Sequence, residues 1–277
     1  MTNTNLSLLK NDEYRELGLT IIVPVFNEEK TICDAICELV TISADFPYEI
    51  IVINDGSTDS TSRILKWPKH ILNIRYVEKT QNEGKGNAVK TGLNLARYSH
   101  VLIFDADLEY FGHDIARLFR PIQMGIAPAV YGIRLRGINT MQPSFVFAYA
   151  RKALTFIANL IYGTAISDLH TCLKLFPTDF LKSLELNENG FGLDTEITAL
   201  ALRSGILPFE IPVSYVGRTK HQGKKIRVSD GFKCIKILIS VRLRKNIDYQ
   251  VRTYAKRNVN FVSNSLRPVE LQNESFL

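Results

Sequence analysis

Apolar and polar positions come in alternating blocks through the first half of the chain. Leu19–Val25 (LTIIVPV) is a continuous apolar, β-branched run that stops at Asn27, the pattern of a strand buried on both faces. Glu29–Thr41 carries apolar residues at helical spacing: Ile32, Ala35, Ile36, Leu39 and Val40. Tyr48–Ile53 (YEIIVI) reads as a second buried strand, ended by the turn cluster Asn54-Asp55-Gly56-Ser57, with Ser57 or Thr58 placed to cap a helix. Ile74–Val77 predicts a short third strand, Gly86–Tyr98 a helix, Val101–Phe104 a fourth strand and Val130–Tyr131 a fifth. Strands alternating with helices predict βαβ crossovers and a mostly parallel sheet.

The second half is less regular. Phe145–Tyr162 predicts one long apolar helix, broken by Arg151 and Lys152. Leu193–Ser204 predicts another, stopped by Gly205. Leu207–Val216 reads as an edge strand, because Pro208 and Pro212 cannot donate to a ladder. Asp230–Arg244 predicts a basic amphipathic helix. The pattern divides the chain into a polar leader at 1–17, an α/β domain at 18–228, the basic helix at 229–249 and a polar tail at 250–277.

The 277 residues are 45% hydrophobic and 22% charged, which is globular composition and enough chain for a sizeable core. Net charge is +6, and the excess is uneven: thirteen Lys or Arg against two Asp between Pro212 and Asn258. That segment reads either as a solvated basic face or as a contact for phosphates of a substrate or of lipid headgroups. No helix-turn-helix, zinc-finger or RNP pattern supports nucleic acid. Cys33, Cys37, Cys172 and Cys234 form no CxxC pair; Cys33 and Cys37, at i,i+4, are expected in the core. A disulfide framework or structural zinc is not expected, and the cytosol is the expected compartment. The first seventeen residues lack a signal-peptide pattern, and no run of about twenty apolar residues predicts a membrane span.

Ligands of an open α/β sheet bind beyond the carboxyl ends of its strands. Polar clusters fall at those ends: Asn27-Glu28, Asp55 and Asp105-Ala106-Asp107. Crowded carboxylates repel one another and call for a cation. In extended chain, Asp105, Asp107 and Glu109 would converge on one side and offer hard oxygen ligands to Mg²⁺ or Mn²⁺; the alternative is an acidic loop capping the next helix. Asn82-Glu83-Gly84-Lys85-Gly86-Asn87, ahead of a helix, suits a phosphate but lacks both the Walker and the GxGxxG pattern.

IIVPVFNEEKTI, IVINDGSTDST, NEGKGNAVKTGL and VLIFDADLEY, in this order and spacing, resemble the family-two glycosyltransferases, in particular the dolichol-phosphate mannose synthase-like branch. YGIRLRG, SDLHTCLKLF, FGLDTEI and YVGRTKHQGKKI extend the resemblance to about residues 19–245. It implies a GT-A fold, a Rossmann-like sheet flanked by helices with a C-terminal extension on the acceptor side. It also implies a nucleotide site at Pro24, Asn27, Glu28, Asp55, Lys85, Asp105 and Ala106. A metal would sit at Asp105 and Asp107, with Glu109 a further ligand. Arg134 would face donor or acceptor phosphate. Asp168, Thr171 and Lys174 would line the acceptor side, followed by Glu196 and Arg218. His170, and the spacing between Arg218 and Gly223, depart from the branch pattern.

The implied reaction is inverting transfer of a sugar from a UDP- or GDP-linked donor, with Mg²⁺ or Mn²⁺ and with Asp107, Arg134, Asp168, Lys174, Glu196 and Arg218 as the acting residues. A polyprenyl phosphate acceptor needs cations, for which Arg134, Lys174, Arg218, Lys224 and Lys225 are available. A sugar hydroxyl needs a base, for which Asp168, Asp194 or Glu196 could serve. The lipid phosphate is the favoured expectation, with the protein peripheral at the cytoplasmic face of a membrane. Phe145–Tyr162 would line a groove for the isoprenoid tail, and Asp230–Arg244 would lie on an anionic leaflet unless both are core helices. The rivals are a soluble polysaccharide-extending transferase, an inactive nucleotide-binding or scaffold protein, and a nucleotidyltransferase. Lys182, Lys220 and His221 read as surface residues.

Overall fold

A computed structural model describes residues 15–66, 73–135, 138–141, 144–218 and 228–244. The expectations for Lys220, His221, Gly223, Lys224, Lys225 and the tail, and for most of the leader, lie outside the described residues. Among the described residues the strands are β1 (Leu19–Val25), β2 (Tyr48–Asn54), β3 (Ile74–Glu78), β4 (His100–Ile103), β5 (Val130–Ile133), β6 (Thr140–Met141), β7 (Lys174–Pro177), β8 (Phe209–Pro212) and β9 (Tyr215–Val216). The helices are α1 (Ile32–Val40), α2 (Thr61–Leu65), α3 (Lys85–Leu95), α4 (Asp114–Gln123), α5 (Phe145–Tyr162), α6 (Thr178–Ser183), α7 (Leu193–Arg203) and α8 (Val228–Leu243).

Seven strands form one sheet in the order β3-β2-β1-β4-β7-β5-β8, and β6 pairs with β9 apart from it. All neighbours in the large sheet are parallel except β7, which runs antiparallel to both β4 and β5. The mostly parallel expectation holds. β7 lies in a run read at sequence level only as a motif, since four residues give too short a pattern to resolve. The edge expectation also holds: β8 is the outer strand, with Pro212 at its end, and the predicted run Leu207–Val216 divides into β8 and β9.

β1, β2 and β4 are buried almost throughout, which is why their sequences show continuous apolar runs and not alternation. Register brings their carboxyl ends to one edge: Val25 lies opposite Asn54, Asn54 opposite Glu78, and Ile22 opposite Ile103. Helix α3 presses on β1 closely enough that a Cβ at Gly92 would lie 2.6 Å from Ile22 Cγ2. Helix α1 buries Ile32, Ala35, Ile36 and Leu39. Cys33 and Cys37 fall outside this stripe and are exposed, against the expectation of core positions. Helix α2 starts after Ser60 with no side-chain cap. Ser57 and Thr58 instead bind Asn27: Asn27 N donates to Ser57 Oγ at 3.0 Å, and Thr58 N donates to Asn27 Oδ1 at 2.8 Å.

His100 begins β4 with its ring edge-on to Phe119 at 5.8 Å and its Nδ1 2.8 Å from Ser99 Oγ. Burial lowers its pKa to about 4. An unfolded chain therefore binds a proton there between about pH 6.5 and 4 that the folded chain refuses. The stabilisation is complete above pH 6.5 and disappears as pH falls through 4. In urea titrations, stability should be lost across this window, and His100→Gln should flatten part of the decline; an unchanged slope would count against the assignment.

Candidate active site

The loops leaving β1 and β2 are laced together where the sheet ends. Asn27 adopts a left-handed backbone (φ 55°), which short polar side chains tolerate, and so turns its side chain onto the β2 loop. Glu28 N donates to Thr61 Oγ1 at 3.0 Å. Pro24 lies within β1, just ahead of this loop. Asp55, buried, accepts from Lys79 Nζ at 2.7 Å and from the amides of Glu83 and Gly84 at 3.2 and 2.7 Å. Its carboxylate thus ties the end of β2 to the end of β3 and to the turn that starts α3. Gly84 is required in that turn. Its φ is 97°, and a Cβ would meet Asn189 O at 2.5 Å.

Asp105, buried Ala106 and Asp107 follow β4. The chain there is not extended: Ala106 and Asp107 form a turn, and Leu108 takes φ 58°. The alternation expected to bring Asp105, Asp107 and Glu109 to one side is broken, and the three go to different partners. Lys85 Nζ donates to Asp105 Oδ2 at 2.9 Å and to Asp194 Oδ2 at 3.1 Å. Arg218 Nη2 donates to Asp107 Oδ2 at 2.9 Å, with Nη1 3.5 Å from Glu28 Oε2. Glu109 accepts from Tyr215 OH and from Arg218 N, each at 2.7 Å, and so anchors the loop that carries Arg218. Among the described residues no three His, Cys, Asp or Glu side chains gather as a metal-binding group. Burial, then the charges of Asp105 and Glu109, push Asp107 up to about 7 against the pull of Arg218.

A second cluster lies between the end of β5 and the middle of α5. Arg134 grips Asp168 with two bonds, Nε to Oδ2 at 2.7 Å and Nη2 to Oδ1 at 2.8 Å, and its guanidinium lies over the rings of Tyr215 and Tyr110 at 5.1 and 5.9 Å. Arg151 brings Nε to 3.7 Å from Asp168 Oδ1. Burial works to raise the Asp168 pKa, but Arg134 and Arg151 outweigh it and hold the carboxyl at about 2. Thr171 Oγ1 donates to Gly132 O and lies 3.4 Å from Tyr110 OH. Lys174, fully buried, donates to Leu169 O at 3.0 Å and Asp194 O at 3.2 Å. Burial favours neutral Lys174, and Asp194 opposes that without reversing it.

Asp105, Asp107, Lys85, Glu28 and Arg218 are brought together, as are Arg134, Asp168 and Thr171. Glu196 is not part of either group. It is buried and accepts from Asn187 N, Glu188 N and Arg244 Nη2 at 3.1, 2.8 and 2.8 Å, holding the loop before α7 and the end of α8. His170 faces away too, with Nε2 3.3 Å from both Cys234 Sγ and Thr195 Oγ1, and Lys182 is exposed as expected. Arg151, Lys79 and Tyr215 escaped the sequence reading. The signal for Arg151 was present: a charge in the middle of an apolar helix. Two buried atoms, Asp194 Oδ1 and Arg218 Nε, have no hydrogen-bond partner among the described residues.

The family model described as "Glycosyl transferase family 2" matches residues 20–184. The chain is 26% identical over 247 residues to the UDP-N-acetylglucosamine--dolichyl-phosphate N-acetylglucosaminyltransferase of Methanococcus voltae, covering 82% of this chain and 97% of that protein. It is 28% identical over 267 residues to the dolichyl-phosphate beta-glucosyltransferase of Saccharomyces cerevisiae, covering 86% and 78%. Among solved structures, glucosyl-3-phosphoglycerate synthase from Mycobacterium tuberculosis, in complex with Mn²⁺, uridine diphosphate and glucosyl-3-phosphoglycerate, matches with a TM-score of 0.57 at 19% identity, covering 83% and 79%; that likeness shows the fold.

Replacing Asp168 leaves the largely buried Arg134 guanidinium, and the half-buried Arg151 beside it, without their carboxylate. Asp168→Ala should cost about 3–5 kcal/mol of stability, read from denaturant midpoints, and a loss under about 1 kcal/mol would mean that the pair is not desolvated.

Proposed function

This chain belongs to glycosyl transferase family 2, with a GT-A fold of the dolichol-phosphate mannose synthase-like branch, and from that premise we propose that it moves a sugar, with inversion, from a nucleoside-diphosphate sugar to a polyprenyl phosphate. One observation carries the choice of acceptor. A sugar hydroxyl needs a base, and all three expected carboxylates are engaged. Asp168 is held at about 2 by Arg134 and Arg151. Asp194 is lowered, because Lys85 and Lys174 outweigh the effect of its burial. Glu196 is occupied by two backbone amides and Arg244. A phosphate monoester is already anionic and needs no base. It needs the positive charge that Arg134 and Arg151 concentrate beside one carboxylate. The names of the Methanococcus and Saccharomyces relatives, both dolichyl-phosphate transferases, support the same acceptor class.

The residues at the end of β4 fit a divalent cation. Glu109 is held by Tyr215 OH and the Arg218 amide as a loop anchor, so the ion would be held by Asp105 and Asp107, whose partners here are the mobile-ended cations Lys85 and Arg218. Two carboxylates suffice for Mg²⁺ or Mn²⁺, which keep open positions for water and substrate phosphates. Burial, with Asp105 and Glu109 beside it, disfavours the charged form of Asp107, a penalty that a bound cation would relieve. When bound, the ion neutralises charge on the departing nucleoside diphosphate. Asn27, Glu28 and the Asp55-braced turn shape the nucleotide side. Lys85 and Arg218 bring cations to the diphosphate, and Arg218 Nε still has a bond to give. Arg134 and Arg151 orient the acceptor phosphate, one of whose oxygens attacks the anomeric carbon as the bond to the diphosphate breaks and its electron pair leaves with the nucleotide. Among the described residues no helix is long and apolar enough to cross a membrane.

With polyprenyl phosphate and labelled nucleotide sugars, labelled product should enter the organic phase; transfer to an oligosaccharide alone would overturn the acceptor assignment. Asp107→Ala should weaken Mn²⁺-dependent donor binding by at least about tenfold with the fold intact, and equal calorimetric affinity in variant and parent would reject the metal role. Arg151→Ala should lower kcat/KM for the lipid phosphate by roughly 10–100-fold and leave donor affinity unchanged.

A further inference from the structure

Helix α5 is apolar on the side that faces solvent. Thr155 and Ala158 are its buried residues, and Leu154, Ile157, Ile161 and Tyr162 pack half-buried against the core on the same inner side. Phe145, Val146, Tyr149, Phe156 and Leu160 are exposed, Phe156 by 68% and Leu160 by 75%. Four of these, with Lys152, fall at positions 145, 149, 152, 156 and 160, a single stripe along about 22 Å of helix. A surface helix of a soluble domain is normally polar there, and aromatic and aliphatic side chains this size are not left together in water without a partner.

Helix α8 packs beside α5. Tyr162 OH donates to Leu238 O at 2.8 Å, and Cys234, Ile237, Leu238 and Val241 of α8 are buried. Of the two readings of this helix, on an anionic leaflet or in the core, its inner side fits the second. Its outer side repeats the α5 pattern at one turn's spacing, with Phe232, Lys236, Ile239 and Leu243 exposed.

We infer that α5, with the outer stripe of α8 beside it, is the surface by which this protein sits on an anionic lipid bilayer. Charge selects this occupant. Helix α5 contains no acidic residue, and its exposed charge is Lys152, whose Nζ lies 5.8 Å from the Tyr149 ring centre; α8 adds exposed Lys236 and Arg242. Apolar side chains interleaved with a few cations and bordered by Tyr match the boundary between acyl chains and anionic headgroups. A two-fold contact with a second copy would set these cations against one another. Position selects it again, and this step rests on the acceptor reading above. The turn of α5 that shows Lys152 and Ala153 to solvent sends Arg151 inward to Asp168. A phosphate gripped by Arg151 then lies about one helix diameter, roughly 10 Å, from the apolar stripe, within reach of a lipid whose tail stays in the bilayer.

The test is sedimentation of the full chain with vesicles of phosphatidylcholine, with and without phosphatidylglycerol, containing neither polyprenyl phosphate nor donor. The parent should pellet with the anionic vesicles, less so as salt rises. The double variant Phe156→Ser/Leu160→Ser should bind about tenfold or more weakly, with unchanged circular dichroism and unchanged donor affinity. Lys152→Glu should weaken binding to anionic vesicles alone. A parent that stays in the supernatant, or a double variant that pellets equally well, overturns the inference. So does a dimer, seen by light scattering, that the double variant disperses, because a second copy then covers the face. Because no acceptor is present, failure here leaves the acceptor reading standing, and an inactive lipid acceptor would not explain loss of vesicle binding.

Discussion

Negative charge at the carboxyl edge of the sheet is the constraint around which the site is arranged. Asp105 and Asp107 stand two residues apart with Glu109 beyond them, and each is met by a different positive or donating group: Lys85, Arg218, and Tyr215 with the Arg218 amide. Like charges this close are tolerated only when opposite charge is near and the groups are hydrogen-bonded. The loops that supply those partners come from distant parts of the sequence, so the charge balance also fixes the geometry. Glu109 makes this plain. By holding the backbone of the 215–218 loop it delivers Arg218 to Asp107, and its contribution is to positioning.

The same logic, with opposite sign, builds the neighbouring cluster. Arg134 and Arg151 would repel each other without Asp168 between them. One carboxylate against two guanidiniums leaves a positive remainder, enclosed by Tyr110 and Tyr215. Tyr215 belongs to both groups, since its hydroxyl binds Glu109 and its ring lies under Arg134. A change on the donor side that moved Tyr215 would therefore be felt at Arg134, through direct contact.

Much of this was legible from the sequence because strands buried on both faces write themselves as unbroken apolar runs, and turns that end them are written in Asn, Asp and Gly. Leu19–Val25 and Phe145–Tyr162 were located to the residue. What escaped did so for physical reasons. The convergence of Asp105, Asp107 and Glu109 assumed extended backbone, whereas Leu108 turns left-handed. Glu196 carries an acid in the expected place but spends it on amides of the preceding loop. Cys33 and Cys37 share a helix flank, yet spacing alone does not say which flank meets the core. Arg151 looked like a break in an apolar helix, and its inward aim depends on Asp168, seventeen positions further along.

The placement of β7 bears on how the chain comes to be folded. β1 to β4 form a parallel half-sheet from residues 19–103, all close in sequence. β5 and β8 join that half only through β7, which sits between β4 and β5 and does not exist until residues 174–177 have been made. A chain emerging from the ribosome therefore carries an open edge on β4 while some seventy further residues, 104–173, are added. An unpaired edge is a template for wrong partners, and the antiparallel insertion of β7 is what covers this one.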